Sequence, residues 1–261
     1  MIASLLLLAF PSVAPAPAPR PPHPQEAQIQ DERPEVKALL DELAGHVKAK
    51  GEKDDQAIGV LDKLVQEFPQ SGPKDRAAIV KALDACFDAK RTKEREEGVP
   101  DNRLYLAAAV ALGTMGPESA KVLAGLVGDK NHRKDSQLQQ TLTLSLGKTK
   151  SPDGLKTLLG LLKHKDAPMQ AAGAEALANF ADAPVDTRKA IFEELLHTMM
   201  DQKTKKDTDV TNQEALERWN IISGPILETL QKLTGHGESD PEMWQRWWND
   251  NKKKDWATKS D

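Results

Sequence analysis

The sequence predicts an all-α protein, a right-handed solenoid of stacked helix hairpins, and three observations predict it. Aromatic residues make up only 4% of the chain, and strands favour aromatic and β-branched side chains, so a large sheet is disfavoured. Ala, Leu, Lys, Glu, Asp and Gln dominate, and apart from Asp these are mostly good helix formers. From Asp101 onward, one apolar helical face recurs at a near-constant interval.

At the N-terminus, Ile2–Phe10 is an apolar run with leucine at positions 5–8. It is too short to span a bilayer, which takes roughly 20 apolar residues, and fits the apolar region of a secretory signal peptide. Small residues at Ser12/Ala14 and Ala14/Ala16 offer cleavage sites. Residues 1–16 are therefore expected to be a signal peptide, with the mature chain periplasmic or in the cell envelope and carrying no membrane span. An uncleaved N-terminal anchor is the alternative. Residues 17–33, dense in proline at their start, are expected to be a disordered linker.

Residues 34–98 are expected to form degenerate N-terminal helical repeats. Glu35–Lys48, Asp54–Phe68 and Lys74–Ala89 each carry an amphipathic stripe, such as Val36, Leu39, Leu40, Leu43 and Val47 in the first. Cys86, the single cysteine, falls in the third stripe with Ile79, Leu83 and Phe87 and is expected to be a buried apolar residue. The charged stretch Lys90–Gly98 is expected to be an exposed loop.

Residues 99–235 carry the regular repeat. Leu104, Ala108, Ala111, Leu112 and Met115 lie on one helical face. A shift of 34 gives Leu138, Leu142, Ser145, Leu146 and Thr149, and a further 31 gives Met169, Gly173, Ala176, Leu177 and Phe180. Gly113, Gly147 and Ala178 follow the central leucine, where a small residue lets the helix end or lets another backbone come close. After each face comes a proline (Pro117, Pro152, Pro184) and then a second-helix triplet: Leu123/Leu126/Val127, Leu158/Leu161/Leu162 and Phe192/Leu195/Leu196. A lone hairpin buries too few side chains, at about 1.5–3 kcal/mol each, to offset about 1–2 kcal/mol of ordering per residue. The hairpins must stack.

This pattern resembles HEAT-type repeats of the armadillo-like fold, most clearly at Asp166–Leu177, where Met169-Gln170 stands in place of the family's Val-Arg pair. The tryptophan, glycine and tyrosine positions of tetratricopeptide repeats are missing from the first helices. Thr211–Leu233 reads as one helix, bent at Gly224-Pro225. Residues 236–261 are expected to be a Trp-rich capping helix and tail. Asp240 is the N-cap, Pro241 the first helical residue, and Trp244, Trp247 and Trp248 share a face. The run Leu233-Thr234-Gly235, Asp240-Pro241, Trp244, Trp247-Trp248 is similar to the ending of exported HEAT-repeat proteins of environmental bacteria. That resemblance implies architecture and export, and no defined activity.

Two roles for Trp244, Trp247 and Trp248 are open at this stage. They can cover the last repeat, with Trp219 in contact, or they can form a recognition face that stacks on envelope polysaccharide. No catalytic set is expected. Gly147-Lys148-Thr149 lacks the glycine that a phosphate-binding loop needs at position 142, and Glu194/His197 is a single half of a di-iron motif. No metal site and no cofactor are expected. With a formal charge of −4, no nucleic-acid partner is expected. Lys130/Arg133/Lys134, Lys163/Lys165 and Lys203/Lys205/Lys206 each follow a second helix, in loops that stacking would align along one edge. They are read as lysines near helix C-termini, favoured by the macrodipole and nearly cancelled by neighbouring aspartates, with a basic ridge for an anionic partner as the alternative. The function expected is a non-enzymatic scaffold for a protein or peptide partner. The alternatives are a polysaccharide-binding module and a HEAT-like lyase.

Overall fold

A computed structural model describes residues 31–88, 94–96 and 99–256. The expected signal peptide, most of the expected linker and the end of the tail lie outside them. Among the described residues there are eleven α-helices and one short β-ribbon.

The N-terminal segment forms α1 (Pro34–Val47), α2 (Asp54–Glu67) and α3 (Pro73–Asp88), close to the predicted spans. Cys86 is buried in the third stripe. Asp31 is already pinned: its carboxylate accepts from the backbone N–H groups of Lys74 and Asp75 at the start of α3. Asp75 in turn accepts from the backbone of Glu32 and Arg33. In the stretch predicted to be a loop, β1 (Glu94–Glu96) pairs antiparallel with β2 (Val99–Pro100).

The regular array follows as α4 (Arg103–Thr114), α5 (Ala120–Leu126), α6 (Ser136–Lys148), α7 (Pro152–Leu161), α8 (Ala167–Leu177) and α9 (Val185–Thr208). All the face positions predicted on α4, α6 and α8 are buried, including Ser145 and Thr149, so the repeat register of 34 and then 31 is the physical one. Asp135 and Ser151 cap α6 and α7 by accepting from the N–H groups of Leu138 and Asp153.

Sequence-adjacent helices pack together, and so do the first helices of successive pairs: α2 on α4, α4 on α6, and α6 on α8. The stack is parallel. At the N-terminal ends, Arg103 pairs with Asp55 and Asn102 donates to Asp135. At the C-terminal ends, Lys150 pairs with Asp182, and the lysine ammonium holds the Asp182 carboxyl below its ordinary range. Side-chain hydrogen bonds between residues more than thirty apart span 32–55 residues, with one exception at 68. Each layer therefore bonds to its neighbours, the quasi-one-dimensional pattern of a stacked array.

Gly113 and Gly147 are sites of close approach. A Cβ on Gly113 would lie 2.9 Å from that of Ser145, and one on Gly147 would lie 2.5 Å from the Ala176 carbonyl. Beyond α9, α10 (Gln213–Thr234) packs on both α8 and α9, and α11 (Pro241–Asn251) packs on α9. Helix α10 continues through Pro225, which lies beside exposed positions, so the carbonyl left without its i+4 donor can be met by water. Gly235 ends it in the left-handed region, at φ 69°.

One expectation is corrected. Lys203, Lys205 and Lys206 do not sit in a loop after the second helix. Helix α9 is 24 residues long and carries them in its last turns. There Lys203 reaches Asp207 and Glu242, and Lys205 reaches Asp201. Helical spacing explains the extension, because Lys203–Asp207 and Lys205–Asp201 are i,i+4 pairs that support the overhanging turns.

Candidate functional site

The predicted site residues converge on one ring. Phe192 of α9 is fully buried, and its centroid lies 5.0 Å from Trp248, 5.4 Å from Trp247, 5.5 Å from Trp256 and 5.7 Å from Trp244. Trp248 is nearly parallel to it, while Trp244 and Trp256 meet it edge-on, both favourable aromatic geometries. Trp244, Trp248 and Trp256 are buried, and Trp247 is half-buried beneath His236, which stacks on it at 13°. Two indole N–H groups are satisfied internally: Trp244 donates to the Glu238 carbonyl and Trp256 to the Asn251 carbonyl. Asp240 caps α11 by accepting from the Glu242 N–H, as its sequence position predicts. Trp219 sits elsewhere on α10, with the Lys206 ammonium 5.8 Å from its ring.

Arg188 locks this cluster to the array, and sequence reasoning did not single it out. It is 4% exposed. Its guanidinium donates to the carbonyls of Leu233, 3.0 Å, and Trp256, 2.6 Å. The Leu233 carbonyl belongs to the negative end of α10, which favours a cation. Replacing Arg188 by Met keeps most of the stem but strands two buried acceptors, so stability is expected to fall by about 2 kcal/mol. Trypsin should then cut more readily around Lys252–Lys254, which limited proteolysis with mass spectrometry would read. Unchanged protection would show that the tail is held by the rings alone.

The second structural feature is a cleft of about 720 Å³ between the α7–α8 turn, α9 and the start of α10. Two of the three basic clusters predicted from sequence meet there, as Lys163 and Lys165 from the turn and Lys205 from the α9 overhang. Arg218 of α10 joins them and is held in place by the Gln170 side chain, 3.1 Å, and the Lys165 carbonyl. The floor is polar and buried: Gln170, Thr198 and Gln202. Lys130, Arg133 and Lys134 follow α5 and belong to a different layer.

A repeated device underlies this floor. Gln170 donates to the Leu162 carbonyl at the end of α7, 2.6 Å. One layer earlier, Gln139 donates to the Leu126 carbonyl at the end of α5, 3.2 Å, and accepts from the Gly128 N–H. Each glutamine of a first helix thus caps the preceding second helix, satisfying carbonyls that no intrahelical donor reaches.

The remaining motifs form no site. Lys148 and Thr149 lie at the end of α6, not at the start of a helix. Glu194 pairs with Lys163 at 3.5 Å, and His197 faces the cleft without it. No group of His, Cys, Asp or Glu among the described residues is arranged to hold a metal ion. No helix among them is long and apolar enough to cross a membrane.

The chain is an all-helical protein of stacked, sequence-adjacent helix layers. Compared with known proteins, it matches no family model, no curated protein and no solved structure.

Proposed function

We propose that this chain is an exported, non-enzymatic scaffold: a right-handed HEAT-like solenoid that holds a protein or peptide partner across successive layers, with the tryptophan cluster as its end seal. One observation supports it above the rest. The first helices stack in parallel, and the side-chain bonds between layers reach about one repeat. Such a stack repeats equivalent surface positions at regular steps, which suits an extended partner better than a single reacting group. The regular spacing and the Asp166–Leu177 pattern support the HEAT assignment. Export rests on the apolar run at residues 2–10.

Photo-crosslinking amino acids at the exposed positions Lys121, Lys156 and Glu193, on α5, α7 and α9, test the scaffold. One envelope protein should crosslink from all three positions. Three unrelated sets of adducts, or turnover of a substrate by the purified chain, would overturn the proposal.

The seal has its own test. Replacing half-buried Trp247 by Ala should lower stability by about 1–2 kcal/mol, through lost apolar burial. Undiminished stability together with lost binding to envelope glycans would make the cluster a recognition face.

A further inference from the structure

We infer that the cleft between the α7–α8 turn, α9 and α10 binds an oxyanion, carboxylate or phosphate. Its lining carries four cations, Lys163, Lys165, Lys205 and Arg218, against two carboxylates, Asp201 and Glu214. Even counting Glu194, which lies just outside and pairs with Lys163, the cleft is a positive patch on a chain whose formal charge is −4. The partners inside the cleft sharpen the point. Lys205 and Gln202 both engage Asp201 and so shield its charge. The side chains of Lys165 and His197 have no hydrogen-bond or ion-pair partner among the described residues, and both residues are exposed at the rim.

The floor adds a second, independent observation. Thr198 is 6% exposed, and its hydroxyl has no hydrogen-bond partner among the described residues. The hydroxyl oxygen itself is not among the fully buried unpartnered atoms, so it opens onto the cleft, where a ligand or water can meet it. Ammonium, guanidinium and hydroxyl donors thus line a space large enough for a small acid or a pair of acidic residues. Arg218 is positioned rather than mobile, because Gln170 and the Lys165 carbonyl fix its plane.

Isothermal titration of the folded chain at low ionic strength tests this, with inorganic phosphate in one arm and a triglutamate peptide in the other. Binding in either arm at millimolar concentration or below is expected, and the arm that binds identifies the source of the oxyanion. The double charge reversal Lys163→Glu/Lys165→Glu, at exposed positions that leave the core untouched, should weaken it by about tenfold. Thr198→Val keeps every charge and should still weaken it several-fold, which non-specific attraction would not do. No heat in either arm, or equal affinity in wild type and the charge-reversed variant, overturns the inference. The scaffold reading is untouched by either result, because the titration involves no protein partner.

Discussion

Phe192→Ala is expected to lower the stability of this protein by about 3–5 kcal/mol, the range for truncating a fully buried aromatic side chain. The physical reason is concentration of contacts. Four indoles lie within 5.7 Å of this one ring, so its removal opens a cavity that rigid bicyclic side chains cannot close by turning. The loss should also be uneven. In a stacked array the terminal layer is held by one interface only, so α11 should come off before the rest unfolds. Four of the five tryptophans in the chain are in this cluster, which makes their fluorescence a report on the end layer. Circular dichroism reports on all the helices. In denaturant, the fluorescence transition of Phe192→Ala should precede the dichroism transition, whereas the two should coincide more closely in the wild type. Coincident transitions with a loss under about 1 kcal/mol would mean that the cluster does not depend on its central ring.

What was legible in the sequence was whatever repeats or is local. The faces of α4, α6 and α8 follow from the 3.6-residue period and from recurrence of the same positions, and all of them are buried. The cap of α11 followed from Asp240-Pro241 alone. Interactions that neither repeat nor stay local were hidden. Arg188 reaches across 68 residues to Trp256, and no spacing rule connects the two. Trp256 itself stands alone, outside the i, i+3, i+4 face that marked its three neighbours. The α9 overhang was misread because its lysines resemble a helix end, while their i,i+4 aspartates in fact prolong the helix. The glutamine device had a readable signal: Leu138-Gln139 and Met169-Gln170 are 31 residues apart, the same step as their layers. The cleft needed three dimensions, because its cations come from three separate elements and only the overhang brings them together.

The opposite behaviour of two glycines gives the sharpest test of the stacking. In an exposed helix interior, replacing glycine by alanine gains about 0.5–1 kcal/mol by restricting the unfolded chain. Gly160, in α7, has open space where a Cβ would go, so Gly160→Ala should raise stability by that amount. Gly147 is helical too, but its Cβ would sit 2.5 Å from the Ala176 carbonyl oxygen and 2.9 Å from the Ala176 Cα. These are backbone atoms of the next first helix, α8, which is itself wedged against α6, α7 and α10. No side chain can rotate away, so the layers themselves must separate, and every leucine contact on either side loosens with them. Gly147→Ala should therefore be destabilising despite its better helix propensity. Gly147→Val, which adds two further methyl groups against the same wall, should cost about 3 kcal/mol, the upper end for overpacking. Denaturant midpoints of the three variants measured side by side decide it. If Gly147→Ala raised the midpoint as Gly160→Ala does, α6 and α8 could not be in backbone contact, and the parallel stack on which the scaffold proposal rests would fail with them.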